Sequence, residues 1–416
     1  MIVDVAAQEA AAARAQAIRQ LLDSPMVGRT ENGFTGIAVH ESWLREWFAE
    51  SCGWILHTDV RRGFARLAKI SSADGYAPPA LDAGDRPFDR RTYVLLCALA
   101  AALGEHSRAR ISLKAIAEAV ADMTLRAGVR TYDPDNPKRA VGRGERRRLL
   151  RAIGLLESLG VLAERHRVGG DYIQDRATNV ETNVLYEIDE RRLALLIAAP
   201  VPPAAASSWT DLLSSGPGDE HDEQDRPGRH RRALNRVMRR LLDDAVCDIG
   251  ALDDDERQRL TADRPRIKGW LAEAGMELEC RAEYWAAVDT SAAPASMILP
   301  KDTIVSNAAL LLASYIVTEP GQWVRERQTH DFIADLFRDH PRWAKSFRDD
   351  DGHRRLTAQA LRLLSRFGLV ARDADGWRAS SAAHRWVLSV EAESLSARPD
   401  AAVDENQQAL FPEEDL

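Results

Sequence analysis

The chain has 416 residues, 45% of them hydrophobic and 6% aromatic, with four cysteines and a formal net charge of −8. That length implies two or three domains with real cores, and the acidity argues against a free, uniformly basic nucleic-acid protein. Cys52, Cys97, Cys247 and Cys280 form no Cys-x-x-Cys pair, so a reducing cytoplasm is expected rather than disulfides or a cysteine-held zinc.

In chain order, Ala6–Leu22 is predicted to be an Ala-rich helix, and Val39–Glu50 a second one with His40, Trp43, Leu44, Trp47 and Phe48 on one apolar stripe. Asp4 and Glu9 among alanines do not read as a signal peptide. Trp54–Asp59 and Ala65–Ile70 are predicted to pair as a hairpin turning at Arg61–Gly63, followed by a polar stretch to Arg86. The four aromatics Trp43, Trp47, Phe48 and Trp54 exceed what a lone small domain needs, so part of that surface is expected to meet a second copy or a partner. From Phe88 the pattern is helical: Tyr93–Leu103, then Ser112–Met123 capped by Ser112, then loop over Arg126–Val141.

The most informative stretch is Gly144–Arg167. Leu149, Ile153, Leu156 and Leu159 recur at helical spacing; Gly160 closes the helix, because glycine takes a left-handed conformation without cost. Val161–Ala163 then start a strand that returns over Val184–Ile188, and Arg191–Ala199 closes the unit. A basic helix passing through Gly into a short hairpin is how the third helix and wing of a winged helix read. The same pattern recurs over Asp351–Asp373, with Gly368 for Gly160, Arg354 and Arg355 for Arg146 and Arg147, and Leu363, Leu364 and Ala371 for Leu155, Leu156 and Ala163. Between the two lie a polar linker (Ser214–Gly228), a strongly basic helix (Arg229–Val246), a helix over Asp253–Ala274 and a strand over Met276–Val288. The second unit is completed by helices Thr303–Val317, Arg325–Asp339 and Arg354–Phe367 and a wing over Leu369–Ser380, turning at Asp373–Gly376. The expected class is therefore α+β, mainly α with small hairpins. Its segments are an N-terminal helical and hairpin region (1–87), a first winged helix (88–213), the linker (214–228), a second winged helix with preceding helices (229–390) and an acidic tail (391–416). The longest apolar runs, Tyr93–Leu103 and Ala308–Val317, are too short to cross a bilayer.

No P-loop, G-x-S-x-G or zinc-protease helix occurs, and Arg147 stands where a dinucleotide site needs its third glycine. His40, His57 beside Cys52, and His221 in its acidic run lack the companions a metal site requires. The acids of Asp253–Glu256 and Asp349–Asp351 read as helix-start residues rather than magnesium ligands. No enzyme activity, cofactor or metal is expected. Charge distribution is more telling: residues 391–416 hold eight acids and one base, and 138–167 nine bases and three acids. Arg146, Arg147, Arg148, Arg151, Arg165 and Arg167, and in the second unit Arg355, Arg362 and Arg366, are the candidate DNA contacts, since the third helix and wing usually face the duplex. Phosphate contact would give affinity without sequence choice.

The segments WLREWF and GWILHTDVRRGFARLAKI between Trp43 and Ile70, with RPFDRRTYVLLCALAAALGE and GLLESLGVLAER, resemble the B subunit of type II Wadjet plasmid-defence systems, similar in role to MukE of the bacterial condensin. The resemblance implies tandem winged helices, a homodimer, a grip on the kleisin subunit of an SMC complex, and non-specific contact with double-stranded DNA in the cytoplasmic nucleoid. It also implies that ATP hydrolysis and DNA cleavage belong to other subunits. The alternative is a stand-alone winged-helix transcriptional regulator.

Overall fold

The computed structural model describes residues 5–70, 80–84, 86–136, 138–168, 183–199, 203–208, 226–244, 246–289, 301–319, 323–372 and 376–386, with single residues at 212, 299 and 321. Most of the expected linker, the tip of the first wing, the turn at 373–375 and the acidic tail lie outside these residues.

Among the described residues the architecture is mainly helical with four small antiparallel sheets of three strands each, ordered β1-β3-β2, β4-β6-β5, β7-β9-β8 and β10-β12-β11. Each sheet belongs to the same series of helix, strand, two helices and hairpin. Unit one is α1 (Val5–Asp23), β1 (Met26–Gly28), α2 (Phe34–Val39), α3 (Glu41–Ser51), β2 (Ile55–Asp59) and β3 (Phe64–Ala68). Unit two is α4 (Arg90–Glu105), β4 (Arg110–Ser112), α5 (Leu113–Arg126), α6 (Arg139–Ser158), β5 (Leu162–Val168) and β6 (Asn183–Ile188), closed by the short α7 (Glu190–Ala194). Unit three is α8 (Arg226–Asp243), β7 (Cys247–Asp248), α9 (Asp254–Ala262), α10 (Arg264–Glu273), β8 (Met276–Cys280) and β9 (Tyr284–Asp289). Unit four is α11 (Ile304–Thr318), β10 (Trp323–Val324), α12 (Glu326–Asp339), α13 (Gly352–Arg366), β11 (Val370–Arg372) and β12 (Trp377–Ala379).

The winged-helix order expected twice therefore occurs four times. The N-terminal region is a full unit, because Met26–Gly28 adds a third strand to the predicted hairpin. His40 sits between α2 and α3 rather than on a continuous stripe. The predicted helix over 253–274 breaks at Asp263, with Pro265 in the first turn of α10, and the predicted strand over 276–288 is a hairpin.

The local causes repeat as well. Side-chain caps start α4 (Asp89 to the Thr92 N–H), α5 (Ser112 to Ala115) and α11 (Thr303 to Ser306), and Asp253 with Glu256 forms a capping box on α9. The third helix of every unit ends on a left-handed glycine: Gly53, Gly160, Gly275 and Gly368 have φ of 64°, 67°, 72° and 63°.

Units two and four each enclose their own core. Units one and three share a single one, in which Trp47, Phe48 and Trp54 pack with Val237, Met238, Ile267 and Trp270. The indole N–H of Trp47 donates to Glu273 Oε2 at 2.9 Å. The aromatic surplus of the N-terminal region is thus covered by the chain itself. The basic helix α8 lies inside this joint: Arg239 donates to Cys52 O at 2.6 Å, while Arg236 and Arg240 reach buried Glu256. Units one and two meet through α7, where Arg66 donates to the carbonyls of Leu195 and Leu196, Arg192 lies over Phe64 and Arg191 pairs with Asp59.

Candidate nucleic-acid interface

Helix α6 is the third helix of unit two, and its inward side is unusually polar. Glu145 is fully buried between two arginines, 2.6 Å from Arg91 and 3.0 Å from Arg130. Arg91 also donates to the carbonyls of Arg130 and Thr131. Arg146 is 5% exposed and donates to Pro134 O at 2.9 Å, with Asp135 at 3.4 Å. Arg151 donates to the carbonyls of Arg86 and Pro87, pairs with Asp82 at 2.9 Å and lies over Phe88. Burial alone would raise the Asp82 carboxyl, but the N–H groups of Arg86 and Gly84 and the guanidinium groups of Arg86 and Arg151 hold it below the usual carboxylate range. Arg148 pairs with Asp89, the cap of α4, at 2.7 Å.

These contacts hold the loop before α6 and the segment before α4 in place. They correct the expectation that Arg146 and Arg151 face a partner: both guanidinium groups are engaged inside the unit, and Arg148 is half-buried on its own acid. Glu145 serves Arg91 and Arg130 rather than its helix neighbours.

On the outward side of α6 the exposed residues are Arg143, Arg147, Gly154 and Ser158. No acid among the described residues lies within ion-pair distance of Arg143 or Arg147. A side chain at Gly154 would enter open space. The stripe is thus two cations followed by two small residues, which lets a backbone of phosphates approach the second half of the helix. On the wing, Arg165 and His166 of β5 are exposed as well, with Arg165 paired to Glu187 across the hairpin. Arg167 is on the same strand, and its side chain lies outside the described set. Arg143 escaped the sequence reading although its spacing of four from Arg147 gave the signal.

Unit four is different in charge. Arg355 pairs with Asp349 at 2.7 Å and lies over Phe347, and Arg354 is 3.8 Å from Asp351. Arg362 is exposed and Arg366 half-buried along the same helix. On the wing, Arg372 pairs with Glu326.

Other chemistries gain little. No group of three His, Cys, Asp or Glu suited to a metal occurs among the described residues. Asp253 and Glu256 cap a helix, and Glu256 is tied to Arg236 and Arg240. Burial pushes the Cys52 and Cys247 thiols up to about 12, which suits packing rather than nucleophilic chemistry. Burial, then Arg45 and Arg66, lowers His57. No helix among the described residues is long and apolar enough to cross a membrane. A family model described as "Protein of unknown function (DUF2398)" matches residues 6–389. No curated protein matches the chain.

Proposed function

The chain belongs to the DUF2398 family, and we propose that it is a non-catalytic subunit of a bacterial SMC-type complex that holds duplex DNA by its phosphates and serves plasmid restriction. In this reading it binds the kleisin of that complex, works beside the SMC ATPase in the nucleoid and leaves hydrolysis and cleavage to other subunits.

One observation carries the DNA contact: the outward stripe of α6, with Arg143 and Arg147 exposed and free of acids among the described residues. A third helix and wing form the surface by which winged helices meet DNA. Two exposed guanidinium groups in a nearly apolar-free stripe supply charge but no fixed pattern of base-edge donors, so binding is sequence-tolerant. The assembly partners rest on the resemblance in sequence and on the acidic balance of the whole chain, which suits a subunit that touches DNA within a larger complex.

The test is a salt titration of the purified complex on two unrelated duplexes. Binding should be alike on both, and Arg143→Gln with Arg147→Gln should lower the slope of log affinity against log salt by roughly 0.9 per lost phosphate contact. Tight binding to one sequence alone would favour the transcriptional-regulator reading. Failure to co-purify with a co-expressed kleisin subunit would remove the SMC assignment.

A further inference from the structure

Units one and three meet as reciprocal partners. Helix α1 of unit one touches α10 of unit three, and α8 of unit three touches α3 of unit one, so each first helix lies on the other unit's third helix. The glycines that end those third helices are covered in the same way. A Cβ at Gly53 would stand 2.8 Å from Asn235 and 3.0 Å from Arg239; one at Gly275 would stand 2.5 Å from Arg19 and 3.4 Å from Ala15. Asn235 and Arg239 are one turn apart on α8, as Ala15 and Arg19 are on α1. The strand ends repeat the exchange with the charges reversed: Lys69 after β3 is 2.7 Å from Asp243 at the end of α8, and Asp289 at the end of β9 is 3.8 Å from Arg19. Contacts that run twice in opposite directions are the mark of an isologous two-fold interface. Here both sides belong to one chain.

This joint buries residues of α3 and α10 in the shared core, including Trp47, Phe48, Ile267 and Trp270. Units two and four are then left as two arms, and their third helices are not alike. α6 presents Arg143 and Arg147 without acids among the described residues. α13 begins with Arg354 and Arg355 beside Asp351 and Asp349. The loop bringing those acids is fixed: Arg348 donates to the carbonyls of Phe337, His340 and Trp343 at 2.8, 2.6 and 2.7 Å. Ala344 in it takes a left-handed φ of 52°, a conformation that a non-glycine residue keeps only under the constraint of its surroundings. Carboxylates therefore stand beside the first two arginines of α13.

We infer that one chain is by itself a complete two-armed assembly, in which units one and three replace the interface of a homodimer and duplex DNA is carried by the unit-two arm alone. The second clause rests on the proposed DNA contact; the first does not. The homodimer expected from the sequence is replaced by its internal equivalent.

Two measurements on the full chain test this. Light scattering at micromolar concentration should give the mass of one chain, and a stable two-chain mass would overturn the first clause whatever the DNA results. Anisotropy with a labelled duplex at several salt concentrations addresses the second. Arg143→Gln with Arg147→Gln should lower the salt slope by about 1.8, Arg354→Gln with Arg355→Gln should leave affinity within twofold, and Asp349→Asn with Asp351→Asn should steepen the slope by exposing the second arm. A loss from the Arg354/Arg355 variant as large as from the Arg143/Arg147 variant would overturn the single-arm assignment. A slope that no variant changes would sink the proposed DNA contact, with the mass still deciding the internal dimer.

Discussion

Arg147 and Arg151 are one turn apart on α6, yet one faces solvent and the other holds the unit together. The difference follows from the helical period: Leu149, Ile153 and Leu156 point into the core, and the flank occupied by Arg151 meets the segment from Asp82 to Phe88. Sequence spacing placed both residues off the apolar face but could not show that the flank was covered, because Asp82 is distant in the chain. Arg151→Ala should lose two carbonyl bonds and leave half-buried Asp82 with Arg86 as its remaining cation, destabilising by about 1–3 kcal/mol. Arg147→Ala should change stability by less than about 0.5 kcal/mol. Urea unfolding of the two variants checks this, and equal midpoints would contradict the assignment of roles. Asp244, just after α8, offers a pH-dependent check. Burial, opposed by Arg240 and aided by Asp243, pushes its carboxyl from 3.8 to about 6. Because the folded value is the raised one, its charge costs stability above about pH 6, and the cost fades as pH falls toward 3.8. Asp244→Asn should therefore raise the melting temperature at pH 7.5 and raise it much less at pH 4.5. A gain independent of pH would show that ionisation of Asp244 is not the cause.

At the scale of elements, two of the four repeats were legible and two were not. Units two and four announced themselves through a long amphipathic third helix, a closing glycine and the same apolar residues after it. Unit one hides its first strand in three residues and its second helix in six; unit three has a first strand of two residues and two short helices that merge in the sequence pattern. The glycines Gly53 and Gly275 were present as signals, but the helices before them lack the leucine and arginine spacing shared by α6 and α13. The basic α8 misleads for another reason: its Arg236, Arg239 and Arg240 face Glu256 and the Cys52 carbonyl inside a joint that composition cannot reveal. That joint predicts a coupling. Trp47→Ala should open a cavity in the shared core and cost about 3–5 kcal/mol. Hydrogen exchange should then speed up in α8 and α10 as well as in α3, while α6 and α13 stay protected. Faster exchange confined to unit one would mean that units one and three do not form one cooperative core.

For the whole molecule, the acidic total conceals an uneven distribution. Cations are exposed together on one arm, are paired with a fixed acidic loop at the start of α13 on the other, and are buried as interior partners between units one and three. Net charge read from the sequence pointed to asymmetry along the chain, and the fold turns it into asymmetry between arms. The most direct test of DNA contact through α6 is to map where duplex DNA touches the chain. A photo-crosslinkable duplex bound by the complex at moderate salt, followed by mass spectrometry of the adducts, reports contact residues without relying on any variant. Contact through α6 and its wing should give adducts within 143–158 and 162–168, and none within α13, α3 or α10. Adducts concentrated on α13, or on the helices shared by units one and three, would contradict it.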